Sequence, residues 1–331
     1  FRSYTLNTFV HFSFLNTAAS PAGIAVIHSL FNIGATILLF PFANLLEKMA
    51  ILAIPDKGSE VEEMEEEKIN PDLARLDERF LDKPGFAMEE CRGVAINMAR
   101  KSKKAMNLAI DLLKEYDEKT SARVEKLENQ IDQYEDALGT YLVKLSERDL
   151  SVKDSRILSV LLHCIGDFER ISDHAVNIRD AAVEMNKKNL QFSDKAKQEL
   201  LVFSNAIRDI IDRAVLAFET GDTGLAKEVE PLEQVVDALN KEEKQRHINR
   251  LRTGTCTIEL GFVLSDISTN FERAADHCSN IAVCLLQVDE GGFDTHEYLD
   301  ILKEENSEEF RHEYMELSEK YALPESKHGG K

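Results

Sequence analysis

The feature that most constrains this chain is an eleven-residue segment that occurs twice. Residues 168–178 are FERISDHAVNI and residues 271–281 are FERAADHCSNI, so 7 of 11 positions are identical at a constant offset of 103 residues. Repetition at a fixed spacing indicates one supersecondary unit that is present in two copies and packs against its own copy. We therefore expect a fold made of two similar halves.

The repeated segment is acidic rather than apolar. Glu169 and Asp173 are four residues apart, and so are Glu272 and Asp276. On a helix this spacing puts both carboxylates on one face, where like charges repel each other and destabilise the helix. Because the chain carries the arrangement twice, we expect a cation to bind there.

The repeat extends upstream of this segment. Glu128 and Asp132 align with Glu233 and Asp237, and both pairs are predicted on the middle helix of a three-helix unit. The distance along the chain from the middle-helix Glu to the third-helix Glu is 41 residues in the first copy and 39 in the second. Helices joined by short loops pack as antiparallel neighbours, so each unit can bring four carboxylates to one patch.

The spacing of apolar residues and the capping residues predict an all-α fold. The predicted helices lie at roughly 86–117, 120–149, 153–188, 193–220, 224–253 and 255–289, with a further amphipathic helix at 295–321. The predicted domains are an N-terminal membrane segment at 1–54, an acidic linker at 55–85, a helical domain at 86–289 with repeats 86–190 and 191–289, and a C-terminal helix and tail at 290–331.

The N-terminal segment differs from the rest of the chain, because residues 3–46 contain no Lys, Arg, Asp or Glu. The apolar run from 22 to 46 is long enough to cross a bilayer as one helix, and a buried core helix is the alternative. Within it, His28 and Asn32 share one helix face, where polar side chains line a cavity or pair with another helix. The chain begins at Phe1 rather than Met, so we expect a longer parent protein.

The formal net charge of −20 argues against nucleic acid as a partner and favours either a solvated surface or cation sites. Oxygen ligands suit Mg²⁺, Mn²⁺, Ca²⁺ and iron, and a His ligand would add zinc. His174 and His277 each follow an acidic residue by one position, so they point about 100° away from the carboxylates and we expect them beside the metal ligands. Asn177 and Asn280 either complete a metal shell or satisfy buried backbone groups.

The charged and thiol side chains around these acids have simpler explanations. Arg170 and Arg273 are expected to neutralise carboxylates or to cap a neighbouring helix, with phosphate binding as a further alternative. The five cysteines include no C-x-x-C pair, which is typical of reduced thiols. With 60 acidic residues in the chain, Glu-x-x-x-Asp pairs also arise by chance on solvated helices, which is the alternative for every acidic pair above.

Enzyme chemistry finds little support. The sequence has no Gly-rich phosphate loop and no Ser or Cys nucleophile beside a recognisable base. A carboxylate-bridged di-metal oxidase stays open as an alternative, but Glu309 and His312 form a single Glu-x-x-His motif, whereas such a site needs two. We therefore predict that the chain is not an enzyme.

The doubled motif on two three-helix units resembles the PhoU domain over about residues 86–289. This resemblance implies a six-helix fold with clusters of divalent or ferric ions on its surface, where the ion is Fe, Mn, Mg or Zn. The ligands that it implies are Glu128, Asp132, Asp167, Glu169, Asp173, Glu233, Asp237, Glu272 and Asp276.

The chain departs from the family pattern in two ways. Ser172 and Ala275 occupy the position before the motif Asp, where the family usually has Gly. Asn270 stands where the first copy has the acidic Asp167. We therefore expect the second site to bind fewer ions or to bind them less tightly.

Residues 25–32, AVIHSLFN, are similar to the Ala-x-x-His-x-x-Phe-Asn signature of Na⁺/phosphate cotransporters. Bacterial members of that family carry a PhoU-like domain after their last span. This resemblance implies the C-terminal part of a sodium-dependent phosphate symporter of the bacterial inner membrane, with a cytoplasmic regulatory domain. Its partners would be inorganic phosphate, Na⁺ and a second copy of the chain. The alternative is a membrane-tethered PhoU-like regulator of phosphate uptake or signalling that transports nothing.

Overall fold

The computed structural model describes residues 70–290 and 308–324, together with residues 29, 31–34 and 36, apart from the side chains of 288–290 and 309. The chain divides into two units, Phe1–Lys68 and Ile69–Lys331. The described residues of the first unit are helical.

The described part of the second unit is helical, as predicted. Its helices in chain order are α1 (Pro84–Leu112), α2 (Glu118–Ser146), α3 (Val152–Lys187), α4 (Asp194–Thr220), α5 (Thr223–Lys227), α6 (Val229–Arg252), α7 (Ile258–Glu290) and α8 (Glu309–Lys320).

Helix starts and ends follow local sequence signals. Pro84 begins α1, where its missing N–H would have had no helical partner. The side chains of Asp117, Ser151 and Ser193 accept hydrogen bonds from backbone N–H groups in the first turns of α2, α3 and α4. Gly221 ends α4 with a φ of 68°, a left-handed conformation that glycine adopts without steric cost.

The single helix predicted over 224–253 is wrong, because α5 and α6 are separate helices that meet at Glu228. Pro231 has no N–H to donate, and its ring clashes with the carbonyl four residues earlier in a continuous helix. That carbonyl belongs to Lys227, the last residue of α5. The proline therefore explains the position of the break.

The prediction of an acidic linker over 55–85 is wrong for its last part, residues 70–83. Two 3₁₀ turns, Leu73–Arg75 and Glu78–Phe80, contact α1. Tyr141 of α2 donates its hydroxyl hydrogen to the Asp77 carbonyl at 2.9 Å, and Leu81 is buried. Residues 70–83 therefore belong to the helical domain, while 55–69 lie outside the described residues.

The predicted C-terminal helix is observed over a shorter range, α8, and residues 295–307 of the prediction lie outside the described part. Helix α8 packs against α6. The Lys320 ammonium and the Tyr321 hydroxyl both donate to Asp209 Oδ2 of α4, at 2.9 and 2.8 Å. These bonds attach the C-terminal helix to the second repeat.

Helices α3 and α7 pack against each other at the centre of the domain; α1 and α2 contact α3, and α4 and α6 contact α7. The motif residues Phe168 and Phe271 are fully buried. Their rings contact Phe218 and Phe203 of α4, with centroids 4.9 and 5.2 Å apart. The aromatic residue of each motif is therefore part of the core, and the arrangement agrees with two three-helix units.

The predicted membrane span lies almost wholly outside the described residues. Among the residues that are described, no helix has the length and apolar character to span a bilayer. His28 is not described, whereas Asn32 is helical and its carbonyl accepts a hydrogen bond from the Thr36 hydroxyl at 2.8 Å. The span over 22–46 therefore stays a prediction.

Candidate metal centre

The predicted acids of the first repeat come from neighbouring helices and meet on one surface, which we call the first acidic face (Glu128, Asp132, Glu169, Asp173). Glu128 and Asp132 lie on α2, and Asp173 lies on α3. These three offer carboxylate oxygens that all lie within 4.8 Å of one another. The sequence prediction that the middle and third helices bring their acids together is confirmed for this face.

The carboxylates of the first acidic face repel one another. Burial raises the pKa of Glu128, and the neighbouring charges of Asp132 and Asp173 raise it further. The pKa of Asp132 is raised for the same two reasons, burial first and then Asp173. Burial and Asp173 together raise the pKa of Glu169 to about 7. This is the electrostatic situation that a bound cation would relieve.

One cation of the protein already lies beside this face. Arg170 Nε is 3.3 Å from Glu169 Oε2, and its NH1 is 3.2 Å from Asp173 Oδ2. The expected neutralising role of Arg170 is therefore confirmed. Its side chain is 61% exposed, so water screens the interaction and it offsets only part of the repulsion.

The second acidic face (Glu233, Asp237, Glu272, Asp276) is built from α6 and α7 in the same way. Burial raises the pKa of Asp276 to about 6, with further contributions from Glu272 and Asp237. Although all four acids are described, no three of them form a group as close as that on the first face.

A lysine explains part of the difference between the faces. Lys241 Nζ lies 3.3 Å from Asp237 Oδ2, one helical turn along α6. At the offset of 105 residues that relates Asp132 to Asp237, the first repeat has Asp136 instead. The first repeat thus adds a negative charge where the second adds a positive one.

Asp167, which the family resemblance adds to the ligands, lies at the contact between the repeats instead. His277 Nδ1 donates to Asp167 Oδ1 at 2.8 Å, and Asn280 Nδ2 donates to the same oxygen at 3.4 Å. Asp167 precedes Glu169 by two residues, which is about 200° around the helix. It therefore points towards α7 rather than towards the first acidic face.

The second repeat repeats this contact with an amide in place of the acid. His174 Nδ1 and Asn177 Nδ2 lie 2.9 and 3.0 Å from Asn270 Oδ1, respectively. The His174 and His277 rings stack with centroids 5.5 Å apart. Burial lowers the pKa of His174, and the proximity of His277 lowers it further. The two His and two Asn residues that we expected beside the metal ligands therefore join α3 to α7.

Sequence analysis missed a buried charged cluster in the second repeat. Its members are Glu199, Glu243, Arg246, His247 and Arg250 on α4 and α6. The signal that could have found it is the repeat itself, since the offset of 105 residues places Leu142 and Leu145 opposite His247 and Arg250. Aligning the two copies is enough to find charged residues in one at positions that are apolar in the other.

The fold and the acidic faces define a class of protein: an all-helical domain of two three-helix repeats, with carboxylates gathered on the middle and third helix of each. The sequence profile described as the PhoU domain matches residues 95–182 and 200–285, one match in each repeat. Together these matches cover more than half of the chain. The chain belongs to the PhoU family.

Curated relatives support the same assignment. The chain is 23% identical over 188 residues to the "Phosphate-specific transport system accessory protein PhoU homolog 1" of Thermotoga maritima, covering 56% of this chain and 80% of that protein. It is 23% identical over 219 residues to the homologue of Pseudomonas aeruginosa, covering 66% of this chain and 90% of that protein.

Solved structures show the same fold. The PhoU crystal structure from Pseudomonas aeruginosa superposes with a TM-score of 0.58 at 22% identity, covering 62% of this chain and 97% of that one. The phosphate transport system regulatory protein PhoU from Streptococcus pneumoniae gives a TM-score of 0.57 at 17% identity, covering 64% and 99%. The predicted PhoU-like helical fold is confirmed.

Proposed function

We propose that this chain is a regulator of phosphate transport and that its first acidic face binds metal ions. The observation that carries the regulatory role is the PhoU match in both repeats. Relatives that align over most of their own length are named as accessory proteins of a phosphate-specific transport system. No enzyme activity is needed for this role, because a regulator acts by contacting its target differently in two states.

The residues of the first acidic face fit a metal ion. Glu128, Asp132 and Asp173 supply only oxygen ligands, with atoms within 4.8 Å of one another. Such a donor set suits hard or borderline cations, in particular Mg²⁺, Mn²⁺ and iron, and with one more ligand Zn²⁺. Glu169, whose pKa is raised to about 7 by burial and by its neighbour Asp173, is placed to join them.

A bound ion would supply positive charge between α2 and α3. Burial raises the pKa values of Glu128 and Asp132 and repulsion between the acids raises them further, and the ion would offset that repulsion. The acids would then hold the two helices together instead of separating them. Because α2 lies at the edge of the domain and α3 at its centre, the ion would also fix the shape of the surface that a partner contacts.

The narrower proposal is that this regulatory domain belongs to a sodium-coupled phosphate symporter in the bacterial inner membrane, with the domain in the cytoplasm. Its support is the sequence of residues 25–32, of which only residues 29, 31 and 32 are described. The relatives are named as accessory proteins, which favours the alternative of a tethered regulator without transport activity. Na⁺ coupling and a homo-oligomeric state are parts of the narrower proposal.

Phosphate uptake by cells tests the regulatory role. The protein is expressed whole or without residues 70–331, and uptake of labelled phosphate is measured at low and at high external phosphate. We expect the truncated protein to reach its normal location but to change how uptake responds to phosphate supply. Uptake that matches the whole protein at both concentrations would contradict the regulatory role. Sodium replacement in the same assay tests the symporter proposal separately.

A further inference from the structure

The charged cluster of the second repeat brings two arginines to one fully buried carboxylate. Glu199 is fully buried, and its two carboxylate oxygens accept from Arg246 NH1, at 2.8 Å, and from Arg250 NH1. Arg246 is also held by Glu242 Oε1 at 2.6 Å and by the Pro324 carbonyl at 2.7 Å. Arg250 shares Glu199 with Arg246, and its further acidic neighbour is Glu243, whose pKa burial raises to about 7.

Several polar atoms of this cluster have no partner among the described residues. They are the NH2 group of Arg250, both ring nitrogens of His247 and one carboxylate oxygen of Glu243, Oε1. The His247 side chain is buried, with 9% of the residue exposed. A buried donor or acceptor without a partner is costly, so a ligand or water is expected to contact these atoms.

The fold itself does not require charge at these positions. At the 105-residue offset, the first repeat has Val94 opposite Glu199, Leu142 opposite His247 and Leu145 opposite Arg250. All three are fully buried apolar residues. The same helices therefore pack around an ordinary apolar core in one repeat and around a charged cluster in the other.

A cavity of about 200 Å³ opens beside these atoms, and its lining includes Ser193, Ala196, His247, Arg250 and Thr255. Ser193 precedes α4 and accepts the Ala196 N–H with its oxygen, so its hydroxyl hydrogen can be donated to a ligand. Leu260, in the first turns of α7, lines the same cavity. Two helix N-termini thus face a cavity that contains a buried guanidinium, and each favours an anion.

The dimensions and the donors select the ligand. The volume is below the roughly 300–1,000 Å³ of sites for larger organic ligands, so the cavity suits a small ion. Glu243, a nearby acid, lines a neighbouring cavity with His247 and adds no charge to this lining. A neutral imidazole offers one acceptor nitrogen, which hydrogen phosphate can satisfy with its own hydrogen and sulfate cannot.

We propose that this cavity binds inorganic phosphate, with Arg250 and Ser193 donating to its oxygens and His247 accepting its hydrogen. Phosphate would supply a partner for the free Arg250 nitrogen and for one His247 ring nitrogen. The site lies in the second repeat, apart from the residues of the first acidic face. It goes beyond the proposed regulatory function and does not depend on it.

Calorimetric titration of the purified full chain in detergent tests the site, with a chelator present so that metal at the acidic faces does not bind the anion. We expect one phosphate per chain, and weaker binding of sulfate. Arg250→Lys keeps the charge but removes the free nitrogen, and His247→Gln removes the ring; each should weaken phosphate binding tenfold or more. Arg252→Gln is the matched control, because Arg252 is exposed on the same helix end and does not line the cavity.

Wild-type protein that binds no phosphate would overturn the proposal, as would an Arg252→Gln effect equal to that of Arg250→Lys. Equal affinity for sulfate would overturn the assignment of phosphate. If circular dichroism shows that the variants lose helix, the wild-type protein is titrated with phosphate instead. The binding is then followed by NMR, through the imidazole resonances of the histidines. The resonance of His247 should shift with phosphate, whereas that of the exposed His312 should not. A His247 signal that does not move would refute the site, and the uptake experiment would be unaffected.

Discussion

In the first repeat, the interior near Val94, Leu142 and Leu145 is apolar and the charges are crowded on the surface of α2 and α3. In the second repeat, the matching interior contains Glu199 and two arginines, and the surface acid Asp237 pairs with Lys241. The two copies share helix order and the core phenylalanine but distribute charge differently.

This difference shows which features the backbone arrangement demands. Phe168 and Phe271 are buried in both copies, and each packs against a phenylalanine of α4. Such residues are explained by packing alone. Some charged residues of one copy are replaced in the other copy by leucine or by a residue of opposite charge. Folding does not require these charges, so they are candidates for ligand binding.

The largest effect on stability is expected when only the acidic partner of the buried cluster is removed. Glu199→Gln leaves Arg246 and Arg250 without their shared carboxylate, and loss of one partner from a buried ion pair costs about 3–5 kcal/mol of unfolding free energy. Exchanging Glu199, Arg246 and Arg250 together for the first-repeat residues Val, Tyr and Leu should cost much less or even stabilise the protein. Urea unfolding of both variants measures this. Equal destabilisation would show that the two interiors are not interchangeable.

A smaller effect follows from the raised pKa of Glu169. This carboxyl has a pKa of about 7 in the folded state, which is above its pKa in the unfolded chain. At a pH between these two pKa values, the folded protein therefore keeps a proton that the unfolded chain has released. Metal-free protein should therefore lose stability as the pH rises from about 5 to about 7.5. Glu169→Gln should reduce that loss by on the order of 1 kcal/mol, since exposure to water screens part of the repulsion.

Thermal unfolding at several pH values, with a chelator present, measures the slope of stability against pH. Burial also raises the pKa of Glu243 to about 7, so Glu243 contributes to the loss of stability with rising pH in the same direction. Glu169→Gln should therefore remove only part of that pH dependence. An unchanged slope in Glu169→Gln would contradict the repulsion argument. With metal bound at the first acidic face the slope should become shallower or reverse, because the ion binds the ionised carboxylates.

The smallest effect concerns the lysine of the second acidic face. Lys241→Asp would give this face the acid that Asp136 provides in the first repeat. We expect metal affinity at the second face to rise a few-fold, because exposed charge pairs contribute about 0–1 kcal/mol. Titration with Mn²⁺, in a background where Glu128, Asp132 and Asp173 are amides, isolates that face. Unchanged affinity would mean that Lys241 does not explain the difference between the faces.

Much of the domain could be predicted from the sequence because its signals are local. Helical spacing and capping residues located α1 to α4 to within a few residues, and the four-residue spacing of acids placed Asp132 and Asp173 on facing helices. What could not be predicted depends on contacts between repeats. Asp167 points to α7 because α3 and α7 pack against each other, and no local pattern contains that information.

Metal content, measured on purified protein by elemental analysis, tests the central claim that the first acidic face is a metal site and the stronger of the two. Three samples are compared with the unaltered chain: Glu169→Ala/Asp173→Ala, Glu272→Ala/Asp276→Ala, and Asp149→Asn as a control in an exposed loop. We expect the first-face variant to lose most of the bound metal, the second-face variant to lose less, and the control to lose none. Equal metal content in all the samples would contradict the claim, and a larger loss from the second-face variant would reverse the ranking of the faces.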